Sequence, residues 1–385
     1  MKNLISKEIS TILDETALLI NKLKSARVFI YPCGEYTSGL MLILQKELGI
    51  VIYKEDMLSK YEDITVRKSI VPPCDESFII LANQNRDDWI VDLWNFEGQG
   101  IPTPQIITPD QLSWIFSSLN NKNLIDSSFE IRQPDDRDTA IDKHYKNEVN
   151  FILKNLERCQ LAYNILHDDF SKRVFTRILA NRILRCGLYD SIFCKGQYFF
   201  ESLNSNEKEV YMDIGAFSGD TVMAFVDKFP HYEKIYAFEP DKAAFLELIK
   251  NTSQVQNISL INAGLYNNNC LMPFKPAKFG SSHINGIFDW DNPDDTCEKQ
   301  VFIKGDELNL IPSFIKMDIE GSELMALDGL SKTIGKYRPT LAICAYHQPD
   351  DLWEIPLMIH SINDRYKIIL RHHSYETTET VCYAM

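Results

Sequence analysis

From Glu209 to Met385 short apolar runs alternate with amphipathic helical stretches, and no other feature of the chain restricts its fold as strongly. Val210 to Ile214, Ile235 to Phe238, Ile258 to Asn262, Phe314 to Asp318, Thr340 to Ala345 and Tyr366 to Leu370 read as strands. Helical stretches between most of them return the chain to the same end, so these strands lie parallel. Thr380 to Ala384 follows the sixth strand after only the Tyr375 to Thr378 turn. A parallel crossover needs about a dozen residues, so this last pair is antiparallel. The pattern predicts a helix-covered sheet of seven strands, all parallel except one reversed strand at the C-terminal end.

The first 205 residues read differently. At 385 residues the chain exceeds the ~100 to 200 typical of one domain. An amphipathic helix at the N-terminus (Ile5, Ile9, Ile12, Leu19) leads to strands at Val28 to Tyr31, Ile50 to Tyr53, Phe78 to Ala82 and Gln105 to Thr108. Ser38 to Leu48 and Asp87 to Phe96 carry helical spacing, which makes a small Rossmann-like α/β domain over 1–125. Its Tyr31 to Gly39 turn retains little of a nucleotide-binding glycine pattern, and Pro32 removes a backbone donor. A structural or degenerate turn is the preferred reading there. Asn120 to Asp138 lacks either period, while Phe151 to Leu166 and Val174 to Leu184 are helical. We therefore expect a linker and helical bridge over 126–205 and the main domain over 206–385.

Composition narrows the partners. Forty basic residues against fifty-four acidic give a net charge of −14, which disfavours nucleic acid. The nine cysteines are scattered singly, without a zinc-like pair or a disulfide framework. No apolar run approaches the ~18 residues of a membrane span, and no signal peptide is recognisable. The expectation is a cytoplasmic protein with no metal assigned; the sequence leaves a homo-oligomer open.

Chemistry concentrates where strands meet helices. Val210-Tyr-Met-Asp213-Ile-Gly215-Ala-Phe217-Ser-Gly219-Asp-Thr221 runs from a strand through a glycine turn into a helix. Glycines allow close approach of a ligand, and the helix start offers unpaired N–H groups. Asp213 at the strand end could hold an amino acid's ammonium but would repel a pyrophosphate, which favours S-adenosylmethionine over NAD. An ordinary strand-to-helix turn is the competing reading. Glu239, followed by Pro240 in Ala237-Phe-Glu-Pro-Asp241, lies at the second strand's end, where a carboxylate can accept two ribose hydroxyls. Asn262-Ala263-Gly264 falls where an adenine edge would lie, though these are also common turn residues.

Asp318 and Glu320 leave the fourth strand at the edge where α/β sheets bind ligands, and Glu323 reads as a helix-start carboxylate. Ala345-Tyr-His347 reaches the same edge from the fifth strand. Asp318, Glu320 and His347 are the catalytic candidates, for acceptor orientation or proton removal, with a structural histidine as the alternative. A metal held by the same three is a variant reading. Arg371-His372-His373, on an edge strand, is assigned to substrate contact. The 25 residues from Pro276 to Gln300 form an unusually long excursion, in which Ser281, Ser282, His283 and Trp290 are candidate contacts and Ser282 a cofactor contact.

These residues resemble the FkbM family of S-adenosylmethionine-dependent methyltransferases: DIGAFSGDT, AFEPD, FIKMDIEGSELMALDGL, RPTLAICAYH, and the closing ILRHHS and ETVCYAM. The similarity covers 206–385, and less specifically DDFSKRVFTRILANRIL and QYFFESL before it. It implies the class I methyltransferase fold, a seven-stranded Rossmann-like sheet, and methylation of hydroxyl groups, often on sugars or natural products. It also implies a cofactor pocket lined by Asp213, Gly215, Gly219, Glu239 and Asp318. Phe217 departs from the Asn more often found there, and Thr221 completes the turn. The N-terminal part looks like the truncated Rossmann modules attached to bacterial sugar-modifying enzymes.

The resulting expectation is an S-adenosylmethionine-dependent O-methyltransferase for a sugar, a polysaccharide precursor or a related small-molecule or glycan acceptor. The alternative is a catalytically inactive protein that binds the cofactor or a sugar nucleotide. A nucleic-acid enzyme is disfavoured by charge and by the lack of an Asn-Pro-Pro-Tyr-like motif, and an NAD dehydrogenase by Asp213.

Overall fold

The computed structural model describes residues 1–31, 44–49, 77–81, 106–108, 111–112, 114–115, 140–184, 186–199, 208–274 and 298–385. The chain divides into two compact units, Met1–Lys154 with Thr176–Ser191, and Asn155–Phe175 with Ile192–Met385. The stretch 126–205, expected as a bridge, is thus shared between them.

In the first unit a long helix, Lys2–Ser25, buries Ile5, Ile9, Ile12, Ile20 and Leu23, one stripe of the 3.6-residue period. Buried Thr16 donates to the Ile12 carbonyl at 2.7 Å and accepts the Trp114 indole N–H at 2.7 Å. Arg177, 1% exposed, holds the same helix through Glu8 at 2.5 Å and Glu15 at 2.6 Å. Strands β1 (Arg27–Tyr31), β2 (Ser77–Leu81) and β3 (Ile106–Ile107) pair in parallel in that order. Leu44–Leu48 is a π-helical turn at the end of the expected helix. The Ile50 to Tyr53 strand, the Asp87 to Phe96 helix, the turn beyond Tyr31, the 120–138 linker and the excursion 275–297 with Ser282 lie outside the described residues.

The second unit is built on β4 (Val210–Ile214), β5 (Lys234–Phe238), β6 (Ile258–Ile261), β10 (Phe314–Met317), β11 (Thr340–Cys344), β12 (Ile368–His372) and β13 (Thr380–Ala384), in the order β12-β13-β11-β10-β4-β5-β6. All neighbours are parallel except those of β13, which runs antiparallel to β11 and β12. β4 is central, so its C-terminal turn sits in the middle of one sheet edge. Beneath it Tyr211 and Phe225 stack at 4.0 Å, with Phe199, Phe229 and Phe314 around them. A small side sheet of β7 (Gly264–Tyr266), β8 (Cys270–Phe274) and β9 (Glu298–Lys304) in the order β7-β9-β8 was not expected.

The sixth strand begins at Ile368 rather than Tyr366 and continues to His372; Lys367 still pairs with Met385, while the Tyr366 N–H turns back to the Asn363 carbonyl at 3.3 Å. Its outer side is partly covered. His167 N–H donates to Ile368 O and Cys194 N–H to His372 O, both at 2.8 Å. The expected substrate contacts are taken up by this cover. Arg371 binds Asp168 at 2.9 Å, buried His372 meets the Thr380 hydroxyl at 2.9 Å, and His373 lies between Cys194 O at 2.6 Å and the Tyr383 hydroxyl at 2.8 Å. Among the described residues no helix is long and apolar enough to cross a membrane.

Candidate active site

The turn after β4 depends on glycine at two points. Gly215 has φ +81°, and a Cβ there would stand 1.8 Å from the Asp318 carbonyl oxygen. Gly219, at φ +91°, precedes the helix Asp220–Lys228, against Leu248 and Thr252 of its neighbour. Between them Phe217 takes φ +44° and stands half-exposed. The turn is fastened to the next strand by Glu239, whose carboxylate accepts the Phe217 N–H at 2.9 Å and the Asp241 N–H at 2.8 Å. Burial pushes the Glu239 carboxyl up to about 7 despite these two amides. Asn262 donates to the carbonyls of Glu239 at 2.8 Å and Pro240 at 3.2 Å, and Ala263 beside it is buried. Phe217, Glu239, Pro240, Asn262 and Ala263 are thereby gathered at one end of β5 and β6.

Asp213 lies deeper. It is fully buried, accepts the Thr221 hydroxyl at 2.6 Å, and pairs with the Lys316 ammonium at 3.1 Å. Lys316 also donates to the Gly215 carbonyl at 2.6 Å and lies 5.4 Å from the Tyr198 ring centre. Burial opposes the lysine's charge, but Asp213 and Asp318 outweigh it and hold the ammonium protonated. The carboxylate expected to meet a ligand is therefore already matched by a cation of the protein.

At the ends of β10 and β11 the three catalytic candidates do come together. His347 Nε2 is 3.4 Å from Asp318 Oδ1 and 3.5 Å from Glu320 Oε2, and Nδ1 is 2.9 Å from Glu323 Oε1. Glu323 begins the helix Glu323–Gly329, as expected, and its Oε1 also accepts the Ile319 N–H at 2.9 Å. Burial works against charge on His347, but Glu323, Asp318 and Glu320 push the imidazole up to about 10. Burial likewise opposes charge on Asp318, yet Lys316 and His347 hold its carboxyl below the usual range. Glu320, at φ +56°, is raised by burial.

Three neighbours escaped the sequence reading. Tyr198 donates to Asp318 Oδ2 at 2.8 Å and lies 3.3 Å from Cys344 Sγ. Glu379 accepts from Gln197 and, at 3.4 Å, from the Tyr346 hydroxyl; burial and Asp318 push it up to about 7. Lys316 shares a strand face with Asp318 by the two-residue period, but residue type and spacing give it no role. Gln197 and Tyr198 belong to the QYFFESL segment, so the resemblance pointed to the region but not to the contact.

A glycine turn at the centre of a 3-2-1-4-5-7-6 sheet, with acidic residues at the ends of the first, second and fourth strands, defines a class I methyltransferase fold. Residues 213–376 match the family model described as the Methyltransferase FkbM domain. Over that stretch the chain is thus similar to the FkbM methyltransferase domain. Among solved structures, methyltransferase FkbM from Methylobacillus flagellatus shares the fold over 100% of both chains, with 18% identity and a TM-score of 0.56. Precorrin-6y C5,15-methyltransferase from Geobacter metallireducens is 14% identical over 52% of this chain and 96% of its own, with a TM-score of 0.30. Fibrillarin from Aeropyrum pernix, in complex with S-adenosyl-L-methionine, is 12% identical over 48% and 70%, with a TM-score of 0.31. These last two likenesses are too partial to build on. No curated protein matches the chain.

Proposed function

We propose that the protein is an S-adenosylmethionine-dependent O-methyltransferase acting in the cytoplasm on a hydroxyl of a sugar, a polysaccharide precursor or a related small molecule. The observation that carries this reading is the convergence of Asp318, Glu320 and His347 on the same sheet edge as the Gly215 turn and Glu239. The donor set fits the cofactor at Glu239, a carboxylate beside the turn able to accept ribose hydroxyls, with Asn262 and Ala263 toward the adenine. Asp213 and Lys316 hold the shape of the turn from beneath. The cofactor supplies an electrophilic methyl group.

The protein's own work is alignment and proton handling. Holding the acceptor oxygen in line with the methyl supplies effective molarity. His347, protonated among its carboxylates, donates toward the acceptor oxygen, and Asp318 keeps the imidazole facing the edge. The hydroxyl proton leaves to a carboxylate, for which the solvent-facing Glu320 is placed. A carboxylate-lined edge favours a neutral polyol over a phosphorylated group at the reacting position.

Calorimetry with S-adenosylhomocysteine tests the cofactor, and transfer of labelled methyl onto a panel of glycans and nucleotide sugars tests the reaction. Micromolar or tighter binding that weakens in Glu239→Ala is expected. Preference for NAD, or an unchanged affinity in that variant, would reject the assignment. Binding with no transfer to any hydroxyl acceptor would favour an inactive binding protein.

A further inference from the structure

Asp318, Glu320 and His347 present one ligand atom each within 4.8 Å of one another, at the end of a sheet and open to solvent on the Glu320 side. The histidine makes this more than an acidic cluster. Its side chain is only 8% exposed, and its Nε2 is aimed between the two carboxylates at 3.4 and 3.5 Å. A charge-assisted N–H to carboxylate bond is about 2.7–2.9 Å long, so Nε2 has no close hydrogen bond there. Ligand atoms placed tetrahedrally about 2.1 Å from a first-row divalent ion are about 3.4 Å apart, which matches the spacing from Nε2 to each carboxylate, while the two carboxylate oxygens lie within 4.8 Å of each other. Behind the ring, Oε1 of Glu323, 0% exposed, stands 2.9 Å from Nδ1 as an ion-pair contact. A carboxylate on the far nitrogen is the usual outer partner of a metal-bound histidine, since it fixes the tautomer and aims the other nitrogen. Glu323 is itself held by the Ile319 N–H at 2.9 Å, so the aim does not depend on a mobile side chain.

We propose that Asp318, Glu320 and His347 Nε2 bind a divalent first-row transition ion, with Glu323 as the positioning residue behind the histidine. Two carboxylate oxygens with one imidazole nitrogen suit zinc, manganese, iron or cobalt better than calcium. Three protein ligands leave at least one position open toward solvent. With the ion bound, the Nε2 proton of His347 is displaced and Glu320 is a ligand, so both leave the donor and acceptor roles proposed above; the open position would take the acceptor oxygen and make its proton easier to lose. The site itself is inferred from the ligand geometry, while this use of it rests on the methyl-transfer reading.

The test uses the full chain, stripped with chelator, and needs neither cofactor nor acceptor. Cobalt(II) is titrated while its visible absorption is followed, with thermal melting in cobalt and zinc alongside. The expected result is saturation at one cobalt per chain, a raised melting temperature, and at least tenfold weaker binding in Glu320→Gln. Glu320 is half-exposed, so this variant should melt like the wild type in chelator, which separates a lost ligand from a lost fold. No saturable cobalt signal up to millimolar concentration, or wild-type affinity in Glu320→Gln, would overturn the proposal. A bound ion in a protein that transfers no methyl group would leave the site standing and reject the reaction alone.

Discussion

Lys316 and Asp213 meet at 3.1 Å where neither reaches solvent, the lysine 2% and the aspartate 0% exposed. They come from adjacent strands in direct register, and the same ammonium holds the Gly215 carbonyl. The pair is the foundation of the turn. Removing one partner leaves a buried charge uncompensated, which typically costs about 3–5 kcal/mol. Lys316→Met should therefore destabilise the second unit by about that amount in urea unfolding, and Asp213→Asn with Lys316→Met should recover much of the loss. A single variant as stable as the wild type would show that the charges do not depend on each other.

Gly215→Ala places a methyl group 1.8 Å from a backbone oxygen at φ +81°. No side chain can move aside, so the β4 turn and the start of the segment after β10 must separate. Loss of S-adenosylhomocysteine binding together with a drop of about 3 kcal/mol or more in stability is expected, measured by calorimetry and denaturation. Retained affinity would mean that the turn tolerates the separation.

Glu239 sits at about 7 because burial outweighs its two amide donors. If the ionised carboxylate accepts the ribose hydroxyls, affinity for S-adenosylhomocysteine rises as the pH climbs through 7 and then levels. About tenfold weaker binding at pH 6 than at pH 8 follows from one required ionisation. Glu239→Gln should flatten the profile, and a flat wild-type profile would disconnect Glu239 from the ligand.

His373 behaves oppositely to His347. Burial pushes its imidazole down to about 4, against the help of the Cys194 carbonyl. Its folded value lies below the unfolded 6.5, so the unfolded chain binds the proton more readily. The stability this neutral ring provides is present above pH 6.5 and is lost as the pH falls toward 4. The slope should reach at most about 1.4 kcal/mol per pH unit in that window. Urea midpoints from pH 7 to 4.5 measure it, and His373→Gln should remove this component of the slope.

His347→Ala should lower turnover by about 10²-fold or more with cofactor affinity nearly intact. Single-turnover methyl transfer at saturating cofactor separates the two. Parallel loss of affinity would place the histidine in the binding of the cofactor instead.

Most strands of the second unit were legible because each is a short apolar run bounded by turn residues. Their ends were less so: Asn262, Asp318 and Ala345 stand one residue beyond β6, β10 and β11, because residue type does not mark where ladder hydrogen bonding stops. β7 has three residues, too few to display a period. In the site, Asp318, Glu320 and His347 could be grouped because neighbouring strands end together. The Asp213 to Lys316 pairing could not, since the two lie 103 residues apart and either could have turned to solvent. Tyr198 reaches Asp318 across 120 residues from a segment without regular structure, so only folding reveals the contact.

The cover on β12 has a consequence for synthesis. Ser171 binds the backbone of Leu370, 199 residues later, and Leu166 bridges to Ile368. At about 5–20 residues per second, a ribosome needs roughly 10–40 s to bring the later strand into being. Until then Asp168, Ser171 and the helix around them have no β12 to meet. The second unit cannot be completed in the order in which it is made; its earliest segment waits for its last hairpin, and an enzyme truncated before Ile368 would leave that segment exposed to chaperones and proteases.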